Sequence, residues 1–298
     1  MPASTTVMAR GAPLAQSTRS RQRRALFRHP LFWTGVAIIG ALALFSFLGP
    51  LFYHVDPNAV DPNVSSVPPT VHHLLGTDIL GRDELSRVMW GGQGFMLVGF
   101  VSALAASVLG AGVGLVAGFA GGFTDRILMR VADMFLGIPQ LVPLLLFDVI
   151  FLPNDFSMIL ILAFTSWPLV SRLVRAETLT VKERDYVQAA VASGASRMRV
   201  LTRHVLPNVL STALVSASSQ LGSTVLILAT ASYLGFGLPP PSPNWASMVA
   251  DATQYLTAGD WWLFLAPGLA FMILQVSVYF VADAVREAFN PLSLQGTR

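Results

Sequence analysis

Few side chains in this sequence could do chemistry inside a membrane, and two aspartates are the clearest candidates. Asp133 and Asp148 lie within one apolar stretch, 128–151. An ionisable residue in such a stretch is costly, and is therefore a candidate for coupling an ion or lining a transport pathway. Asp133 has a structural alternative, because Arg130 lies one helical turn away and can pair with it. Asp148 can instead lie at the membrane interface with Asp155 and water, and we favour the structural role for both aspartates.

The sequence lacks three signatures of enzyme sites: a phosphate-binding loop, a metal-ligand cluster and a nucleophile elbow. It has no phosphate-binding Gly-x-x-x-x-Gly-Lys-Ser/Thr loop, and its only lysine is Lys182. Cysteine is absent, and the five histidines show no metal-ligand spacing. No Gly-x-Ser-x-Gly nucleophile elbow occurs. We therefore predict a protein that is not an enzyme, with no metal or cofactor on this chain.

Composition indicates a membrane protein. Of the 298 residues, 53% are hydrophobic and 12% are charged, and the mean hydropathy is +0.61. A soluble domain carries about 25% charged residues. Crossing the hydrocarbon core takes about 20 apolar residues. We predict an all-α integral membrane protein with six transmembrane helices, over 32–53, 92–118, 128–151, 156–175, 208–233 and 262–285.

The basic residues indicate the orientation. With the N-terminus inside, 17 of the 19 lysines and arginines fall on or beside cytoplasmic segments, and only Arg82 and Arg87 lie outside. Such an excess is the positive-inside pattern, so we predict that both termini are cytoplasmic. The net charge of +3 is then a topology signal and not a sign of nucleic-acid binding. Trp261 and Trp262 fit an outer aromatic belt.

Domain organisation follows from these spans. The basic N-terminal segment is longer than that of a signal peptide and lacks a small-residue cleavage site, so it is predicted to be a flexible cytoplasmic tail. The predicted parts are a tail over 1–30, a first transmembrane helix and outer loop over 31–91, a five-helix core over 92–290 with a cytoplasmic segment at 176–207, and a second cytoplasmic tail over 291–298.

The cytoplasmic segment is more structured than a simple connection requires. Residues 183–193 have apolar side chains at helical spacing and three alanines that favour a helix. Gly194 is a plausible helix stop, Ser196 can cap a second helix, and Pro207 fits the first turn of the fifth span. The apolar stripe predicted on the first helix consists of Tyr186, Val187, Ala190 and Val191.

From the residues alone, this segment could rest on anionic lipid or dock on a protein. It resembles the cytoplasmic signature of ABC importer permeases, in which Glu-Ala-Ala is followed by Gly, Ile and Leu-Pro at fixed spacing. Gln188 and His204 depart from the usual glutamate and isoleucine, and the spacing is kept. In that family the segment is a coupling helix that fits a groove on an ATPase subunit. The resemblance implies coupling roles for Tyr186, Gln188, Ala189, Ala190, Gly194, Ala195, Leu206 and Pro207.

A second string, from His73 to Gly92, resembles permeases of the dipeptide/oligopeptide/nickel branch. Its structural interpretation is a capped turn whose opposite charges pair with one another. Strings beginning at Arg130, Trp167, Tyr233 and Ala282 extend the resemblance over roughly 30–292. The feature order resembles the second, "C-type" permease subunit. The outer-loop motif consists of Gly76, Thr77, Asp78, Gly81, Arg82, Asp83, Ser86 and Arg87.

The resemblance implies a type I ABC importer permease fold in the bacterial cytoplasmic (inner) membrane. It implies transport of peptides or similar small solutes by alternating access. The implied partners are a homologous permease subunit, two cytoplasmic ATPase subunits that hold ATP and Mg²⁺, and a solute-binding protein that delivers solute to outer loops at 51–90 and 234–260. An ion-coupled secondary transporter is the alternative, but it predicts mid-membrane acids and an internal repeat, which we do not see.

The second and fifth predicted spans each have an unusual composition. Gly110, Gly114 and Gly118 form a small-residue face that favours close helix packing. The fifth span is unusually polar, and its serines and glutamine could line the pathway or bond between helices. The pathway candidates are Ser219, Gln220 and Ser223.

Overall fold

The computed structural model describes residues 22, 24–151, 154–237 and 241–289, and all regular structure in these residues is helical. The one β-bridge joins Thr77 and Asp83. A π-helical turn at Leu201–Val205 joins the helix that ends at Val200 to the helix that begins at Leu206. The helices are α1 (Pro30–Phe52), α2 (Glu84–Ala120), α3 (Gly122–Leu136), α4 (Leu141–Ile150), α5 (Asp155–Lys182), α6 (Asp185–Ala192), α7 (Arg197–Val200), α8 (Leu206–Tyr233), α9 (Trp245–Ala252) and α10 (Trp261–Phe289).

Within these residues, five helical segments are long and apolar enough to cross a membrane: α1, α2, α5, α10 and the α7–α8 unit. The third predicted span is not one continuous helix. It is broken at 137–140 into α3 and α4, which are bent by 87°. Pro139 explains the break, because proline lacks an N–H donor and disfavours helix at the residue before it. Counting this bent pair as one span gives six.

The ends of the chain differ in part from the prediction. Residues 24–28, within the tail predicted to be flexible, are helical, and the Trp33 indole donates a hydrogen bond to the Phe27 carbonyl at 2.8 Å. The remainder of the N-terminal tail up to residue 21, and the tail at 291–298, lie outside the described residues.

The predicted glycine face is confirmed as the seam between α2 and α5. A Cβ atom on Gly110 would lie 2.6 Å from the Trp167 carbonyl oxygen, and one on Gly114 would lie 2.3 Å from that of Ser171. On Gly118 the nearest atom, Cβ of Thr178, would be 2.8 Å away. These distances leave no room for a methyl group, so the glycines permit the close approach of the two helices.

A second core lies where α2 meets α8, α9 and α10. Trp245 and Phe95 are fully buried, with ring centroids 5.8 Å apart. The Trp245 indole N–H donates to the Val88 carbonyl at 2.7 Å, which satisfies the polar atom of a buried ring. The segment 234–260, expected as an outer loop, therefore contributes α9 to the helical core.

The structure contradicts the predicted aromatic belt at one of its two tryptophans, Trp262. Trp261 is 55% exposed, but Trp262 is only 7% exposed and its indole donates to the Thr77 carbonyl at 3.2 Å. Trp262 therefore anchors the outer-loop motif to α10, because tertiary contact covers a ring that the sequence pattern assigns to the interface.

Candidate functional site: the coupling segment and the outer-loop motif

The segment predicted to be the coupling segment, 176–207, starts later than expected because α5 continues to Lys182. Its remaining part, 183–207, is called the coupling segment below; it contains α6 and turns sharply after that helix. Gly194 has φ +80°, in the left-handed region that favours glycine. The Ala195 N–H donates to the Ala190 carbonyl at 3.1 Å, and the Gly194 N–H donates to the Val191 carbonyl at 3.0 Å. These bonds satisfy carbonyl groups at the end of α6, so the predicted helix stop is confirmed.

The second helix of the segment differs from the prediction. Ser196 caps it as predicted, with its side chain accepting a hydrogen bond from the Arg199 N–H. However, α7 is not a separate helix, because it continues through the π-helical turn into α8. Pro207 lies in the first turn of α8, as predicted, and Leu206 begins that helix. Beyond the turn at Gly194, α7 and α8 thus form one continuous helical segment, Arg197–Tyr233.

One side chain of α6, that of Val187, is buried against the rest of the protein. Val187 is 2% exposed and packs in a cluster of valines from α5, α7 and α8. The other large members of the predicted apolar stripe face outward, with Tyr186 43% and Val191 52% exposed. Gln188, Ala189 and Gly194 are also exposed. The face formed by these outward residues is partly apolar, and such faces mark interaction surfaces.

Gln188 connects α6 to two long helices through the only lysine of the chain. Its side-chain amide donates to the Lys182 carbonyl at 2.8 Å. The Lys182 ammonium in turn donates to the carbonyls of Gly118 at 3.0 Å and Phe119 at 2.9 Å. Carbonyl groups at a helix end lack partners within the helix, and a cation there is favourable. This Gln188–Lys182 link therefore joins α6 to the ends of α5 and α2.

Sequence reasoning did not assign Lys182 a positioning role. Its signal was available, since it is the only lysine and lies in the last turn of a predicted span. The partner carbonyls, however, lie more than 60 positions earlier, and no local pattern connects them. The amide at position 188 is also informative, because an ionised glutamate there could not donate this hydrogen bond.

The outer-loop motif is built on two glycines in the left-handed region. Gly76 has φ +78° and Gly81 has φ +74°. A Cβ atom on Gly81 would lie 1.8 Å from the Asp61 carbonyl oxygen. The Thr77 hydroxyl accepts from the Val67 N–H at 2.9 Å and is fully buried. The motif thus folds back tightly on the preceding segment.

The charges of the motif satisfy one another, as the structural interpretation predicted. Asp78 lies 2.6 Å from the Arg82 guanidinium and 3.8 Å from that of Arg87. Asp83 caps α2 by accepting from the Ser86 N–H at 2.9 Å. These charged side chains are less exposed than those of an ordinary surface turn. Arg87, for example, is only 6% exposed. Helix α2 also begins earlier than predicted, so the last part of the motif is helical and not a loop.

Asp83 has two further partners. The Tyr53 hydroxyl donates to its carboxylate at 2.9 Å, and Nδ1 of His73 lies at the same distance. Burial raises the pKa of Tyr53 to about 12, and the hydrogen bond to Asp83 acts in the same direction. The motif therefore ties the end of α1 to the start of α2.

The three pathway candidates lie on neighbouring turns of α8 without a common environment. Gln220 is buried, and its amide donates to the Thr224 hydroxyl at 3.0 Å. Ser223 is exposed and donates to the Ser219 carbonyl at 3.2 Å, while the Ser219 hydroxyl accepts from Arg286 of α10 at 3.0 Å. All three thus form hydrogen bonds within or between helices, and their place in a pathway stays a prediction.

Both aspartates have partners other than those expected. Asp133 forms its ion pair with Arg172 of α5 and not with Arg130. Asp148 is 6% exposed and accepts a hydrogen bond from the Gly237 N–H at 3.3 Å, instead of lying at a wet interface. Helix α3 packs against α5, which brings Arg172 within reach of Asp133. Among the described residues, no group of three or more His, Cys, Asp or Glu side chains could hold a metal ion.

Comparison with known proteins gives the class of protein. Residues 110–291 match the family model "Binding-protein-dependent transport system inner membrane component", and residues 17–69 match "N-terminal TM domain of oligopeptide transport permease C". The inward-facing methionine ABC transporter MetNI contains a chain with the same fold. The TM-score is 0.55 at 20% identity, and the match covers 68% of this chain and 96% of that one.

Two relatives are more similar in sequence. A Brucella abortus protein whose name assigns it to a peptide transport system is 35% identical over 274 residues, which are 92% of each chain. An Escherichia coli K12 protein named for D,D-dipeptide transport is 36% identical over 262 residues, 88% of each chain. The chain belongs to the binding-protein-dependent transport system inner membrane component family. It is an ABC transporter permease, a multi-pass protein of the bacterial inner membrane.

Proposed function

We propose that this chain is a transmembrane permease subunit of an ATP-driven importer that translocates di- or oligopeptides, or a similar small solute, by alternating access. Two relatives carry names of peptide transport systems. Both termini are proposed to lie in the cytoplasm, because the basic residues follow the positive-inside pattern. ATP and Mg²⁺ belong to separate ATPase subunits, since this chain has no phosphate-binding loop.

The observation that carries the proposal is the architecture of the coupling segment. One buried valine holds α6 against the protein, while Tyr186 and Val191 remain exposed on its outward face. The segment is joined to α8 by the continuous helix and to α5 and α2 by the Gln188–Lys182 link. A short helix attached by these contacts can transmit a displacement from a docked ATPase to three long helices.

The proposed assembly contains one such permease, a homologous permease subunit, two ATPases docked on the coupling segments, and a solute-binding protein at the outer side. ATP binding closes the ATPase pair and opens the pathway outward, and hydrolysis resets it. Membrane lipids surround the spans, and nucleic acid has no role in the proposal.

The experiment is uptake of peptide into vesicles that contain the whole assembly, with Gly194→Arg compared to Gly122→Arg. Both glycines have positive φ and nothing within 4 Å of a built Cβ atom, so the backbone strain and available space are matched. Gly122 is the first residue of α3 and lies outside the coupling segment. We expect Gly194→Arg to lower uptake and solute-stimulated ATP hydrolysis at least tenfold, because a bulky cation would block the docking face. Gly122→Arg should keep most of both.

A third variant, Gly194→Ala, separates strain from bulk. Alanine at φ +80° costs about 1 kcal/mol without enlarging the surface, so its uptake should stay close to wild type. Equal uptake by Gly194→Arg and Gly122→Arg would refute the coupling role. Uptake that proceeds without ATPase subunits would instead favour the ion-coupled secondary transporter.

A further inference from the structure

A polar pocket lies at the N-terminal end of α2, about 50 Å along that helix from the Gln188–Lys182 link. It encloses about 240 Å³ between the outer-loop motif, the first turn of α2, and α9 with the residues that follow it. A cavity that holds one water needs only about 10–15 Å³ by this measure, while sites for drug-sized ligands span about 300–1,000 Å³. The pocket therefore has room for one small polar group or one end of a longer molecule.

Glu84 is the unusual side chain of this pocket. The residue is 2% exposed, and its Oε1 atom has no hydrogen-bond partner among the described residues. No ion pair within 4.0 Å of its carboxylate is formed in that part of the chain either. A carboxyl group buried without a partner is neutral in preference to ionised, and a ligand that supplies a cation would stabilise its ionised form.

The other charges of the pocket favour a positive ligand. Arg82 and Arg87 both line it, but both are directed to Asp78, at 2.6 and 3.8 Å. Arg87 also donates to the Pro57 carbonyl at 3.4 Å. With Glu84 and the exposed Asp251, the pocket contains three carboxylates and two guanidinium groups, which leaves one excess negative charge when all are ionised.

We propose that this pocket binds a primary ammonium group, with the Glu84 carboxylate as its charged acceptor. An ammonium group has three N–H donors. The neutral oxygens of Gln254 and Tyr255, which also line the pocket, can accept the donors that Glu84 does not take. A multivalent metal is disfavoured, since the described residues contain no cluster of three or more metal-ligating side chains. A quaternary ammonium would require an aromatic cage, and Tyr255 is the only aromatic residue of the lining.

Two sources could present such a group at this end of the molecule. One is the α-amino group of a peptide, and the other is a lysine side chain of a protein that docks there. The ammonium site itself does not depend on the proposed transport function, whereas its assignment to a peptide terminus does. The test therefore uses binding to the purified full-length chain, without ATPase subunits.

Isothermal titration calorimetry in nanodiscs would compare three probes: alanyl-alanine, N-acetyl-alanyl-alanine, and Nα-acetyl-lysine amide. We expect a probe with a free ammonium to bind and the acetylated dipeptide to bind at least tenfold more weakly. Binding of alanyl-alanine identifies a peptide terminus, while binding of the lysine derivative alone identifies a docked side chain. Lack of binding by both ammonium probes at millimolar concentration would overturn the proposal, as would equal binding of the free and acetylated dipeptides.

Substitutions of single carboxylates test whether the ammonium group binds in this pocket. Glu84→Gln keeps the shape of the side chain and removes its charge, and we expect a loss of affinity of at least tenfold. Asp155→Asn, an exposed carboxylate outside the pocket lining, is the matched control and should bind like wild type. Wild-type affinity in a folded Glu84→Gln protein would refute the assignment. Should that variant not fold, Asp251→Asn at the exposed rim must lower affinity severalfold, and unchanged affinity there refutes the role of the pocket charge.

Discussion

Replacing Gly114 by alanine tests whether the seam between α2 and α5 is as tight as the structure shows. The new Cβ atom would lie 2.3 Å from the Ser171 carbonyl oxygen and 3.0 Å from the Arg175 amide nitrogen. Favourable contacts between heavy atoms lie near 3.5–4.0 Å, so the helices would have to separate by about 1 Å. Both contacted atoms belong to the backbone of α5, so no side-chain rotation can relieve the clash. Overpacking of this kind costs roughly 1–3 kcal/mol.

Gly112 provides the matched control on the same helix. It is exposed, and a Cβ atom there would meet nothing within 4 Å. Alanine is the better helix former by about 1 kcal/mol, so Gly112→Ala should be neutral or slightly stabilising. The two substitutions are chemically identical and share the same gain in helix propensity, so their stabilities should differ by roughly 1–3 kcal/mol through packing alone.

The assay is thermal unfolding of the detergent-purified protein, followed by intrinsic tryptophan fluorescence. At roughly 2–4 °C per kcal/mol for a large domain, a cost of roughly 1–3 kcal/mol should make Gly114→Ala melt about 2–12 °C below wild type. If unfolding is irreversible, the rate of unfolding at one temperature is compared instead. Equal melting of Gly114→Ala and Gly112→Ala would refute the close seam, and with it the packing role of the glycine face.

Two further predictions concern contacts that join distant parts of the chain. Trp245→Phe removes a buried indole that donates to a backbone carbonyl of α2 at 2.7 Å, and should lower the free energy of unfolding by about 1–3 kcal/mol. Trp90→Phe, at a ring that is 42% exposed, is the control and should change it little. Equal melting of the two variants would contradict this reasoning. Lys182→Met keeps the apolar stem but removes the donor to the end of α2, and should speed amide hydrogen exchange in the last turn of that helix severalfold, measured by mass spectrometry. Unchanged exchange there would show that the lysine does not hold the helix end.

Local features of the coupling segment could be predicted from the sequence because they depend on neighbouring residues. The turn at Gly194 requires a positive φ, and the cap at Ser196 reaches an amide three residues later. Pro207 suits the first turn of a helix for a similar local reason. The same reasoning failed for the apolar stripe, since only Val187 faces inward, and periodicity does not show which part of a short stripe the tertiary structure covers.

Features that depend on the path of the chain were predicted less well. The sequence contains Pro139 but does not specify the angle between the helices on either side of it. In the structure, α3 and α4 are bent by 87°, where the sequence predicted a single third span. The packing of α3 on α5 places Asp133 beside Arg172, and Asp133 pairs with that residue instead of Arg130. In the sequence, Glu84 is only one residue of the stretch from His73 to Gly92 that resembles the permease family. Nothing nearby in the sequence shows that its carboxylate is buried without a hydrogen-bond partner.

The sequence by itself determined the membrane character, the number of apolar stretches, the glycine face and the signature of the coupling segment. Each of these follows from composition, helical periodicity or spacing within a few turns. Only the tertiary structure decided the link from Gln188 through Lys182 to the end of α2, and the pocket around Glu84. Both depend on contacts between residues that are far apart in the chain, and such contacts are set by how the helices pack against one another.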